Sequence, residues 1–248
     1  MPVDSIVLAA PIIFLAYAVS GLTGFGAAMV CVPVLVQFMP LQFAVPLVVL
    51  FDVVCTSLVG VSNWKRVSVP ELKRLFLWML IGIALGVVVL HKANAKWPLI
   101  VFGCFVVAVC IKGLRHAQGK YDAISVYWAI PFGLLGGMFS AMFGTGGPIY
   151  TIYLSRRFTG MDQFRATISV VILGSGIIRA VAFGVTGLYS QSDILSVAAV
   201  LLPVCLIGLF SGSRLRSRVA PEVLRRFIYM LLAIAGAGAI YRGWVTPA

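Results

Sequence analysis

The sequence predicts an all-α polytopic membrane protein built as two inverted repeats, each a glycine-broken long element followed by three transmembrane helices. Composition, the lengths of the apolar runs and the placement of basic residues predict it. Of 248 residues, 61% are hydrophobic and only 10% charged, and the mean hydropathy is +1.07; soluble domains carry about 25% charged residues. No polar stretch is long enough to form a soluble domain, so residues 1–248 read as one transmembrane domain.

Apolar runs able to cross a hydrocarbon core of about 30 Å, roughly 20 helical residues, fall at 5–39, 41–62, 72–90, 97–111, 124–155, 163–188, 194–210 and 223–241. The first resembles a secretory signal, but Asp4 stands where a basic n-region belongs, so it is expected to be the first membrane element. It is oversized, at 35 residues, and contains "SGLTGFGAAM" from Ser20. Three plain helices follow. Asp52 lies 11 residues into the first of them, about 16 Å at 1.5 Å per residue, near the bilayer centre. Trp64, beside Lys65 and Arg66, reads as an interfacial anchor.

Residues 115–123, "RHAQGKYDA", link to the second repeat. Its first run is again oversized, at 32 residues, and contains "SAMFGTGGPI" from Ser140. "LQFAVPLVVL" from Leu41 and "DQFRATISVV" from Asp162 follow the two glycine clusters at nearly the same distance. The repeats are therefore read as 1–114 and 124–248.

Charge placement gives their relation. If all eight runs crossed once, Lys and Arg would divide 8 to 10, with no preferred orientation. If each long element makes an even number of crossings, re-entering at its glycines or forming two short helices, the division becomes 15 to 3, with Arg179 inside a helix. That satisfies the positive-inside rule. Three further crossings per repeat then invert the second repeat and place both termini away from the cytoplasm. The net charge of +12 thus reports topology and not nucleic-acid binding. The basic connection "SGSRLRSRVAPEVLRR" at 211–226 is expected against anionic lipid head groups, with a regulatory partner site as the alternative. Inverted repeats with interrupted helices are a plan of secondary transporters, whose substrate site lies near the midplane.

Unpaired backbone facing lipid costs several kcal/mol per group, so the breaks are expected to line a polar cavity. Ser20, Thr23, Ser140 and Thr145 flank them as hydroxyl donors. Pro148 suits the first turn of a restarting helix, just after Gly144, Gly146 and Gly147, whose freed amides suit an anion. The first cluster has Gly24 and Gly26 but no proline, which predicts a gentler break. The alternative is that the glycines serve close helix packing. Arg179, 14 residues after Arg165, lies about 21 Å along its helix. Either it guides an anion while Asp52 couples a proton, or the two neutralise each other, or Arg179 snorkels outward.

The five cysteines (Cys31, Cys55, Cys104, Cys110, Cys205) lie in apolar runs without a CxxC pair; they are expected to be small buried hydrophobes. No metal or cofactor is expected. His91 and His116 lie in connections and receive no chemistry.

"GLTGFGAAMVCVPVL" (21–35), "NWKRV" (63–67) and above all "GLLGGMFSAMFGTGGPIYTIYL" (133–154) make nearly the whole chain resemble the sulfite exporter TauE/SafE family, also called the toluene sulfonate uptake permease family. The resemblance implies a duplicated membrane protein of the bacterial cytoplasmic membrane that moves sulfite, sulfoacetate or other organosulfonates, and the family includes both exporters and uptake systems. The leading expectation is a secondary transporter for such an anion. A passive anion channel is an alternative. An intramembrane enzyme is a weaker one, since HExxH and GxSxG motifs are absent from the sequence, as is a Walker A loop.

Overall fold

The computed structural model describes residues 3–23, 26–59, 64–92, 96–115, 124–158, 160–190 and 193–215, with residues 230, 233, 236–241, 243 and 244. Among them there is helix and no strand. The helices with defined bounds among the described residues are, in order, α1 (Val3–Thr23), α2 (Ala27–Leu35), α3 (Leu41–Val59), α4 (Val69–Lys92), α5 (Lys96–Arg115), α6 (Ala129–Phe143), α7 (Gly147–Arg157), α8 (Met161–Val185) and α9 (Ile194–Leu215). The last predicted run, 223–241, falls mostly outside the described residues, although 230, 233 and 236–241 are helical.

Each oversized run resolves into one long helix and one short one. α1 has 21 residues and α2 has 9, about 31 and 13 Å at 1.5 Å per residue. α6 has 15 residues and, with the 3₁₀ turn before it, makes an 18-residue apolar stretch, Val126–Phe143; α7 has 11. α2 and α7 are too short to cross a 30 Å core, so neither run is a pair of equal short crossings. Each break carries a left-handed glycine. Gly26 takes the left-handed conformation at φ 98° ahead of α2, and Gly144 does so at φ 72° after α6. Such a φ stops a helix without a proline.

α4 starts at Val69, earlier than the apolar run, because Ser68-Val69-Pro70-Glu71 has the Ser-x-x-Glu pattern of a helix N-terminus; the Leu72 amide donates to the Ser68 carbonyl at 3.0 Å. Polar first-turn residues do not register in a hydropathy scan.

α1 packs along α9, and α6 along α4. Glycines set both crossings. A Cβ at Gly208 would stand 2.5 Å from the Phe14 carbonyl oxygen, and one at Gly86 would stand 2.7 Å from that of Met138. Gly21 and Gly212 in the first crossing and Gly82 and Gly137 in the second meet backbone in the same way, and Gly133 meets the Trp78 Cβ. Small residues let membrane helices approach until their backbones touch. Exchanging α1 with α6 and α4 with α9 turns one crossing into the other. α3 and α8 meet between these pairs.

The outer faces remain apolar: Leu77, Leu85 and Val88 on α4, Val181 and Val185 on α8, and Val200, Ile207 and Phe210 on α9 are exposed. A soluble protein would expose charge there. Five stretches among the described residues are long and apolar enough to span a membrane.

At one end of the bundle Glu71 of α4 is buried, at 5% exposure. It accepts hydrogen bonds from Arg157 Nη2 at 2.7 Å, the Tyr153 hydroxyl at 2.6 Å and Arg74 Nη1 at 3.0 Å. This cluster ties the C-terminal end of the short helix α7 to the start of α4. Outside it, Arg66 and Asp162 form an exposed ion pair.

Candidate functional site

The N-termini of α2 and α7 open into one cavity of about 240 Å³. Gly26, Ala27 and Ala28 line it from α2, and Gly146, Gly147 and Pro148 from α7. Ser20 reaches it from α1, Asp52 from α3, Ser140 and Gly144 from α6 and its end, and Arg179 from α8. Both halves of the chain therefore wall the same space. Gly24 lies outside the described residues, as does the side chain of Thr23.

Two helix starts facing one cavity present unpaired amides and the positive ends of two helix dipoles. The break in the second half determines which amides are free. Gly144 N–H donates to the Ser140 carbonyl at 2.9 Å, so it closes α6 and is not available to a ligand. The carbonyl of Gly146 accepts from Ile149 and Tyr150, each at 3.1 Å, starting α7. The amides of Thr145, Gly146 and Gly147 make no backbone hydrogen bond with described residues. Pro148 in the first turn has no donor to lose.

The glycines divide into two kinds. Gly147 has open space where a Cβ would be. At Gly146 a Cβ would meet the Gly136 carbonyl at 2.6 Å and the Tyr150 ring at 2.9 Å. Close packing thus accounts for Gly146, while at Gly147 no neighbour demands a glycine.

Asp52 and Arg179 meet across the cavity. Arg179 Nη2 lies 3.8 Å from Asp52 Oδ2, and the Tyr17 hydroxyl donates to Asp52 Oδ1 at 2.8 Å. Arg179 is 3% exposed and turns inward, so it does not snorkel. Its Nη1 donates to the Ser140 carbonyl at 3.0 Å and its Nε to the Ser175 carbonyl at 3.3 Å. A guanidinium has five N–H donors, and this geometry leaves N–H groups on both Nη atoms for a ligand. The Ser140 hydroxyl is paired with that of Ser175 at 2.7 Å. Thr145 Oγ1 is buried with no hydrogen-bond partner among the described residues. It is a donor without an acceptor, next to free amides.

Sequence reading missed Tyr17, Ser175 and Tyr150. Tyr17 precedes Ser20 by three residues, one helical turn, so the helix period alone puts it on the same face. The Tyr150 hydroxyl lies near Ser140 and Ser175 without making a hydrogen bond to either. Among the described residues no group of three or more His, Cys, Asp or Glu side chains is placed to hold a metal ion.

Comparison with known proteins agrees with this architecture. The chain is 29% identical over 199 residues, 80% of its own length and 83% of the relative's, to the "Probable inner membrane transporter protein TsaS" of Comamonas testosteroni. No solved structure matches it. Residues 9–239 match the family described as Sulfite exporter TauE/SafE. With apolar spanning helices on the outside and a polar cavity within, the chain belongs to the TauE/SafE family and is a membrane transporter.

Proposed function

We propose that this transporter is a secondary carrier that moves a small sulfur-containing anion, such as sulfite, sulfoacetate or another organosulfonate, across the cytoplasmic membrane. The carrying observation is the convergence of two helix N-termini and one inward-turned arginine on a single cavity. Amides at helix starts and a guanidinium are the groups that bind oxyanions. A cavity of about 240 Å³ lies below the roughly 300 Å³ at which drug-sized sites begin, which suits a ligand of a few heavy atoms. The family description supplies the sulfur chemistry.

In this reading the oxyanion sits between α2 and α7, held by the amides of Gly146 and Gly147, the Thr145 hydroxyl and the spare N–H groups of Arg179. Ser20 lines the opposite wall, Gly26 starts α2 there, and Pro148 holds the start of α7. Asp52 is the coupling site. An anion that draws Arg179 away leaves the carboxylate with Tyr17 alone in a buried setting, and a proton then neutralises it. Anion and proton thus enter together. The exchange of helix crossings between the halves supports inverted repeats moving against each other, as alternating access requires.

The test is flux of sulfite and small sulfonates into proteoliposomes, with an imposed pH gradient and with that gradient collapsed. Accumulation that follows the gradient and is lost in Asp52→Asn supports the reading. Flux that only equilibrates, whatever the gradient, makes the protein a channel.

A further inference from the structure

Cys55 on α3 and Cys205 on α9 bring their sulfur atoms to 3.3 Å, as a thiol–thiol hydrogen bond between residues 150 apart in the chain. Both are buried, at 4% and 0% exposure, and both are free thiols. The two helices come from opposite halves of the molecule. Cys55 lies one helical turn beyond Asp52 and lines the cavity, while Cys205 lies behind it. Cys104, by contrast, is exposed on α5.

We propose that Cys55 and Cys205 are an oxidisable dithiol, and that their disulfide pins α3 to α9 and halts the transport cycle. Bond formation needs the sulfurs to close from 3.3 Å to about 2.05 Å. A small azodicarboxamide oxidant reaches the pair through the cavity. The Cys55 sulfur adds to one nitrogen of the N=N bond and the other nitrogen takes the thiol proton. The Cys205 sulfur then attacks the Cys55 sulfur, the S–N bond breaks, and its electron pair and the second thiol proton leave with the hydrazine. Two thiols are oxidised by two electrons, and one azo group is reduced.

The disulfide would fix the helix carrying Asp52 against the helix that packs on α1, which carries Tyr17 and Ser20. This consequence rests on the transport reading, because only a protein whose halves move is stopped by joining them. The dithiol itself does not depend on that reading.

The experiment treats the whole protein in proteoliposomes with diamide, maps disulfides by non-reducing peptide mass spectrometry, and measures sulfite flux before and after dithiothreitol. A Cys55–Cys205 linked peptide, at least a tenfold drop in flux and recovery on reduction are expected. Cys205→Ser should give no linked peptide and keep its flux in diamide. Amide hydrogen exchange in α3 and α9 should slow on oxidation, a readout that needs no substrate. Failure to recover the linked peptide from oxidised wild-type protein overturns the site. A linked peptide with unchanged flux, or with unchanged exchange where the reduced protein carries no flux, overturns the lock. Absence of sulfite flux in reduced protein counts against the transport reading alone.

Discussion

Replacing Arg179 with Gln separates anion binding from simple charge neutralisation. In the structure Arg179 Nη2 is 3.8 Å from Asp52 Oδ2, with side-chain exposures of 4% and 18%. At an effective dielectric of about 20, opposite charges at that distance attract by about 4 kcal/mol. A bound anion at a similar distance draws on the same charge, less what Asp52 already holds. The net loss should match a hydrogen bond to a charged group, about 1.5–3 kcal/mol, or a roughly 10- to 150-fold rise in Kd. The assay is calorimetric titration of purified protein with sulfite and a small sulfonate. Arg179→Gln also strands a buried carboxylate, so it should lower stability toward the 3 kcal/mol end of the range of about 3–5 for broken buried pairs. The double variant Asp52→Asn/Arg179→Gln removes the stranded charge. It should regain stability but not affinity. Wild-type affinity in the double variant would mean that Arg179 only neutralises Asp52, and the anion site would be refuted.

Gly147→Ala, with open space at its Cβ, should fold and assemble normally, whereas Gly146→Ala must displace the Gly136 carbonyl or the Tyr150 ring and should lose about 1–3 kcal/mol; detergent unfolding midpoints compare the two. Gly212→Leu should separate α1 from α9, because even a Cβ there collides with the Ala18 carbonyl, and a loss of monodisperse protein on size-exclusion chromatography would show it. Glu71→Gln should destabilise by about 3 kcal/mol, since it removes the charge that Arg157, Arg74 and Tyr153 share; an unchanged unfolding midpoint would mean that the cluster contributes nothing to holding α7.

Much of this architecture is legible in the chain because hydropathy and glycine are strong signals. An apolar run too long for one crossing, with Gly24 and Gly26 or Gly144, Gly146 and Gly147 inside it, announces a broken helix. Side-chain pairing is weaker. Gly82 and Gly86, Gly133 and Gly137, and Gly208 and Gly212 are spaced i, i+4 and each marks a crossing, but spacing does not say which helix meets which. Asp52 and Arg179 stand out as charges in apolar helices, yet a separation of 127 residues leaves their pairing as one alternative among several. The pairing of Cys55 with Cys205 is invisible for the same reason. Glu71 reads as a polar residue at a helix end, and only the packing of α7 turns it into a buried hub.

The crossing of α1 with α9 has a consequence for biosynthesis. About 170 residues separate the end of α1 from the start of α9, so at about 5–20 residues per second the ribosome needs about 10–30 s to supply the partner. α6 follows α4 after about 37 residues, a few seconds. The newborn α1 therefore waits in the bilayer with the face around Phe14, Ala18 and Gly21 uncovered until nearly the whole chain has been made. A chain cut off before α9 leaves that face of α1 without the backbone it packs against.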